Sequence, residues 1–373
     1  DLVFPLALIL SLLEHQKEYD CIYSRDLLLT LFAAPMKILR KPLILEMNGI
    51  LSISVEAYRR THAVRAPQLT PVIRGMIRII ENLTIRSVDL VLPITEKMKE
   101  TILADFRPNP ARVVVIRNGV DTTVFRPIGI KRSETRRRLG IGDEVVVLYL
   151  STFSAGWRDT EQFFEVIERI LRRRTDVVFL IVGSGPTLDD IRKRVGETLL
   201  QVIFTGKVEH RLVPTYVNAS DICIYDATPE GYRLIERQGP LPMKILEFMA
   251  CGRPVIVPRE RELEAILRNS NGGFLASSTE EIAALIEKVA NSPGLARTMG
   301  RNARRYTETN HDLALLTKRT VELIRVTVSS KNTCASSSHS IDWHSHKPGT
   351  LEAGLGNLDE MTHGIDQPNQ SIP

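Results

Sequence analysis

The chain has 373 residues, a length that suits about two domains and can bury a sizeable core. Apolar residues at 43% and charged residues at 25% exclude collagen-like, mucin-like and wholly disordered chains. Forty-nine Lys and Arg against 44 Asp and Glu leave a formal charge of +5, too mild to argue for a nucleic-acid partner. Cys21, Cys223, Cys251 and Cys334 form no Cys-x-x-Cys pair, which fits neither a zinc site nor a disulfide framework and points to a reducing compartment.

In chain order, the apolar run Val3 to Leu13 is too short to span a bilayer and lacks the basic start of a signal peptide, so a cytoplasmic location is expected. The first residue is Asp1, not Met, which leads us to expect a segment upstream. Short Val- and Ile-rich runs predict strands at Cys21–Arg25, Leu43–Met47, Leu90–Ile94 and Val113–Arg117. A second series follows at Val145–Leu150, Val177–Val182, Val202–Thr205, Ile222–Tyr225 and Pro254–Val257. Helical periodicity at Asp159–Arg173 and Thr187–Arg194 makes the class α/β.

The charged stretch Asp121 to Asp143 separates the series, so we divide the chain into a first domain over residues 1–128, a second over 129–305, a C-terminal helix over 306–328 and a tail over 329–373. The first series holds fewer strands than a dinucleotide-type sheet, so one or more N-terminal βα units are expected to be absent. The tail carries eight Ser and only six Leu or Ile, a composition that does not offset the entropy of ordering, and it is expected to be disordered. Cys334, His339, His344 and His346 in that tail do not make a metal site without a supporting shell; no metal ligand is assigned.

Pro242 to Ile256 carries the strongest local signal. Pro242 suits the first helical position, Gly252 the residue after the helix end, and Ile245, Leu246, Phe248 and Met249 a buried face. Lys244 stands in the first turn, where the helix dipole disfavours a cation unless an anion binds there with it. Glu247, one turn on, has the acceptors for two neighbouring hydroxyls such as those of a ribose. A nucleotide site and an exposed Lys–Glu pair both fit these residues. Earlier, VVVIRNGVDTTVFRP (113–127) runs into Asn118-Gly119, a pair that favours a left-handed turn and names no ligand by itself.

These two segments, with VVFLIVGSGP (177–186), VIFTGKVEHRLVPTYVNASDICIY (202–225), NGGFL (271–275) and LARTMGRNARRYTETNH (295–311), resemble the retaining glycosyltransferases of family 4 in order and spacing over nearly all of residues 18–325. The resemblance implies a GT-B architecture of two facing Rossmann-like domains with parallel sheets, the N-terminal one incomplete. It implies transfer of a sugar from a UDP- or GDP-linked donor, with retained configuration and without a metal or other cofactor. The acceptor would be a glycan or a lipid-linked molecule in cell-surface polysaccharide or glycolipid synthesis. Glu247 matches the family glutamate that holds the ribose hydroxyls. Pro242, Met243 and Lys244 match the diphosphate region, and Gly206, Lys207 and Val208 the loop beside the base; for Lys207 a solvated surface residue fits as well.

Several positions depart from the family. Gly239 stands where many members have a first glutamate, with Glu230 and Glu236 in the intervening loop. In YLSTFSAGWRD (149–159), Thr152 and Trp157 occupy the usual Arg and Lys positions, and Arg158 is the expected substitute phosphate ligand. In LILEMNG (43–49), Asn48 replaces a His that contacts the donor sugar; it hydrogen-bonds but does not shuttle a proton near neutral pH. That fits either a leaving diphosphate that deprotonates the acceptor or an impaired enzyme. The family's N-terminal glycine-rich loop is not found.

From Arg59 to Arg86 six Arg stand against one acid, Glu81, with Val72, Ile73, Met76, Ile77 and Ile80 interleaved. Both a helix lying on an anionic membrane and a core-packed helix with a solvated basic face fit, the second better. Two further functions compete with the transferase: a nucleotide-sugar epimerase of similar build, and a catalytically impaired fragment or nucleotide-binding subunit.

Overall fold

The structure is a computed structural model, and it describes residues 3–55, 71–153, 160–195, 201–225 and 241–333. The N-terminal part alternates α1 (Val3–Glu14), β1 (Ile22–Ser24), α2 (Leu27–Ala33), β2 (Leu43–Met47), α3 (Pro71–Ser87), β3 (Leu90–Pro93) and α4 (Glu96–Phe106), and a further helix starts at residue 51. Local chemistry sets the helix starts: the Asp26 carboxylate accepts from Leu29 N, and the Thr95 hydroxyl from Met98 N. The three strands pair in parallel in the order β1-β2-β3. The expected strand at Val113–Arg117 is reduced to one bridge, Val91 with Val113. Val114 N and Ile116 N donate to Val91 O and Pro93 O, but the next rung needs an N–H from Pro93, which has none.

The second part holds α5 (Gly129–Arg138), β4 (Val145–Leu150), α6 (Thr160–Leu171), β5 (Val177–Val182), α7 (Pro186–Val195), β6 (Val202–Gly206), α8 (Val213–Ala219), β7 (Ile222–Ile224), α9 (Met243–Ala250), β8 (Val255–Pro258), α10 (Arg261–Ser270), β9 (Gly273–Ala276), α11 (Thr279–Ala290), α12 (Pro293–Asn310) and α13 (Leu313–Thr333). Its sheet is parallel throughout, in the order β6-β5-β4-β7-β8-β9, with an apolar layer on each face. Strands covered on both faces have no polar alternation, which is why β5 is buried at every position. β9 is a strand beyond those expected; it fits because Gly273 lets the chain pass Val255 O, which a Cβ there would meet at 2.3 Å.

One fastening holds the second part together internally, and another joins it to the first. Arg132 and Arg136 on α5 both bind Asp221, fastening α5 to the end of α8. α13 returns to the N-terminal sheet, where Leu323 and Ile324 cover Ile44, Leu90 and Leu92, and Lys331 pairs with Asp89 at 3.0 Å. That helix continues to Thr333, so residues 329–333 are helical and not tail; residues 334–373, with Cys334 and the histidines noted above, lie outside the described residues. α3 also corrects part of an expectation. Val72 and Met76, expected on a core-packed face, are more than half exposed together with Ile79 and Leu83. Arg74 and Arg86 are exposed as well while Arg78 pairs with Asp105, so the outward surface is mixed apolar and basic. Among the described residues, no helix is long and apolar enough to cross a membrane.

Candidate functional site

In the C-terminal sheet the strand order reverses between β4 and β7, and the crevice outside the strand ends at that point is where open α/β sheets bind ligands. The amino end of α9 stands there, because Lys244 Nζ donates to the carbonyl of Leu150, the last residue of β4, at 2.9 Å. Pro242 is the residue just outside the helix, not its first, with φ −64° and ψ 122°. Its missing N–H costs nothing at this point. Gly252 follows the helix end in the left-handed region at φ +68°.

One turn into α9, the Glu247 side chain is only 11% exposed. A buried carboxylate needs a partner, and among the described residues His210 is the side chain that supplies it, with Nε2 at 2.9 Å from Oε1. Since a carboxylate only accepts, Nε2 carries the hydrogen. His210, 74% exposed, opens a single 3-10 turn after β6, and its ring tilts against Phe125 at 5.4 Å. The exposed Lys–Glu pair is thereby excluded: the two residues share a helix but each holds a different partner.

The neighbouring loops pack backbone against backbone. Phe153, fully buried, has φ 45°, and its carbonyl accepts from the Thr187 hydroxyl at 2.8 Å. Gly183 at φ +130° and Gly185 leave no room for a Cβ, which would meet Ser151 O at 1.8 Å and Thr152 O at 2.2 Å. Gly206 closes β6 at φ +72° with open space beside it, Lys207 is exposed, and Val208 packs on the core. Met243 is 39% exposed at the helix start.

In the first domain Asn48 follows β2, exposed, and its Nδ2 donates to Glu46 at 3.1 Å. Its hydrogen bond is with its own domain and does not join the Glu247 cluster. Arg158, Trp157, Glu230, Glu236 and Gly239 lie outside the described residues.

The Asn118-Gly119 segment differs from the turn expected of it. Neither residue is left-handed. Val120 N donates to His311 O at 2.8 Å and Leu313 N to Val120 O at 3.0 Å, so two chain crossings between the domains pair as extended backbone. Glycine gives clearance here, since a Cβ would press on Leu313 Cα at 3.0 Å. His311 is fully buried, its Nδ1 3.0 Å from Asn118 O, and its Nε2 has no partner among the described residues. Burial pushes its pKa down to about 4. Arg304 clamps the same region, donating to Phe125 O, Thr122 O and, at the end of α9, Ala250 O. Among the described residues no three His, Cys, Asp or Glu side chains converge as a metal site would require.

Two family models match the chain: "Glycosyl transferases group 1" over residues 144–292 and "Glycosyltransferase Family 4" over residues 1–124. It belongs to the family 4 glycosyltransferases. Among its relatives, the alpha-D-kanosaminyltransferase of Streptomyces kanamyceticus is 27% identical over 46% of this chain and 43% of its own length. The GDP-mannose-dependent alpha-(1-6)-phosphatidylinositol monomannoside mannosyltransferase of Mycolicibacterium smegmatis is 25% identical over 69% of this chain and 66% of its own. The matched stretch thus spans less than two thirds of either relative. Among solved structures, Anabaena Alr3699/HepE in complex with UDP superposes with a TM-score of 0.67 at 20% identity, covering 86% of this chain and 82% of that one. Sucrose-phosphate synthase of Thermosynechococcus elongatus gives 0.63 at 20% identity over 87% and 78%. These likenesses establish the GT-B fold.

Three residues of the candidate site carry no signal in the sequence: His210, Phe125 and Arg304. Each acts through a contact with a distant part of the chain, and no local spacing signals such a contact.

Proposed function

We propose that the protein is a retaining, metal-independent glycosyltransferase that moves a sugar from a UDP- or GDP-linked donor to a glycan or lipid-linked acceptor, in cell-surface polysaccharide or glycolipid synthesis. The observation that carries this reading is the start of α9 held at the strand reversal, with Lys244 on Leu150 O and the Glu247 carboxylate beneath it. The positive end of the helix and the Lys244 ammonium offer charge to a diphosphate. Glu247 offers acceptors to the ribose hydroxyls. Arg158 is the proposed additional phosphate ligand, and Gly206, Lys207 and Val208 border the base. Asn48, whose amide nitrogen is engaged by Glu46, leaves Oδ1 to accept from a sugar hydroxyl, while the departing diphosphate takes the acceptor's proton.

Both bases stay open, since the mycobacterial relative is GDP-mannose-dependent and Alr3699/HepE holds UDP. A lipid-linked acceptor is supported by that relative's phosphatidylinositol mannoside and by the exposed apolar stripe of α3, which suits a peripheral position on the cytoplasmic membrane face. The test supplies UDP- and GDP-hexoses with phosphatidylinositol vesicles and reads the product by NMR. We expect the protein to co-sediment with the vesicles at low salt and to release one nucleotide. The product should keep the donor's anomeric configuration, and EDTA should have no effect. An inverted product or dependence on a metal contradicts the reading. Asn48 favours one second reading, a nucleotide-binding subunit; donor bound but never turned over is its signature.

A further inference from the structure

We infer that His210 is a positioning residue that fixes the Glu247 carboxylate for a ribose diol. The inference rests on the proposed donor site and goes one step deeper into it. A carboxylate at the end of a Glu side chain turns easily, because the terminal torsion is broad. Two neighbouring hydroxyls bind it well only when its plane is set in advance. Here Nε2 of His210 takes one acceptor position of Oε1 at 2.9 Å, of the roughly four that a carboxylate offers. The rest of Oε1 and all of Oε2 are left for a ligand.

The imidazole is itself braced. Phe125, from the inter-domain segment, is buried and packs its ring against that of His210 at 5.4 Å. Arg304 then donates both to Phe125 O at 2.6 Å and to Ala250 O at 2.8 Å. One guanidinium thus ties the residue that supports His210 to the end of the helix that carries Glu247. The two halves of the His210–Glu247 bond are held in fixed relation from both sides. An ordinary exposed ion pair would be worth little. This contact differs because its acceptor is buried, and because the donor ring, though largely exposed, rests on Phe125.

Calorimetric titration of the whole chain with UDP and GDP, each compared with its 2′,3′-dideoxy form, tests the assignment in the wild type, His210→Ala and His210→Gln. The His210→Ala protein is expected to bind the ribose-containing nucleotide about tenfold more weakly, the loss of a hydrogen bond to a charged group. The dideoxy form should bind within about twofold of wild type, since Glu247 has nothing to hold in it. His210→Gln, whose amide N–H reaches toward the same oxygen, is expected to recover most of the loss. Unchanged binding by His210→Ala, or an equal loss for both forms, overturns the positioning role. The wild-type comparison separates this failure from that of the underlying reading: a wild type that does not prefer the ribose form has no diol on Glu247, and both fall.

Discussion

Gly183→Ala is expected to destabilise the C-terminal domain by about 3 kcal/mol or more, the joint cost of a strained backbone and an overpacked contact. The residue lies at φ +130°, and its Cβ would stand 1.8 Å from the carbonyl oxygen of Ser151, an atom of the main chain that no side-chain rotation removes. The loop Ser151–Phe153 would have to shift. That loop follows Leu150, whose carbonyl holds Lys244, so nucleotide binding should fall with stability. Gly206→Ala is the internal comparison. At φ +72° with open space beside it, it should cost only about 1 kcal/mol. Denaturant unfolding of the two variants decides: equal losses would mean that the close approach of the two loops does not govern stability here.

Acidification is expected to remove about 3 kcal/mol of stability between about pH 6.5 and pH 4 through His311 alone. Burial holds its folded pKa near about 4, below the ordinary value of 6.5. The unfolded chain therefore takes up the proton first. The stabilisation is complete above about 6.5 and is lost progressively as pH falls toward the folded pKa. The neutral ring sits where Val120 pairs with the backbone of residues 311 and 313, so its protonation strains the crossing between the domains. His311→Asn keeps a donor for the Asn118 carbonyl and has no titrating group. Its stability should be lower at neutral pH and flatter across this window. A variant whose pH slope matches wild type would show that His311 is not the group responsible.

Much of this architecture is legible in the sequence, and the places where it is not have physical reasons. The parallel strands announce themselves because burial on both faces demands unbroken Val and Ile runs, as in Val177–Val182. The Val113–Arg117 run has the same composition but pairs beside Pro93, whose missing N–H stops the ladder, and nothing within the run itself carries that information. β9 is the reverse case: Gly273 weakens the local strand signal yet is what allows the close pass of Val255.

The site divides similarly. Lys244 and Glu247 stand out through helix punctuation, which is local chemistry. Whether Glu247 faced water or a buried partner depended on His210, 37 residues away, and on the packing of Phe125. Asn118-Gly119 was read as a turn because of its intrinsic preference, whereas the glycine serves clearance from Leu313. On α3 the Arg residues Arg74 and Arg86 are exposed as the sequence suggests, but Val72 and Met76 stand exposed with them, and no local spacing separates these two from the half-buried Ile77 and Ile80.

The most direct test of the donor site at the start of α9 is calorimetric titration of the chain with UDP and with GDP, repeated with Glu247→Ala. One of the two nucleotides is expected to bind, and the substitution to weaken it by more than about tenfold, about 1.4 kcal/mol, in a protein whose unfolding midpoint shows it to be folded. Failure of the folded wild type to bind either nucleotide, or equal binding by Glu247→Ala, would contradict a donor site there.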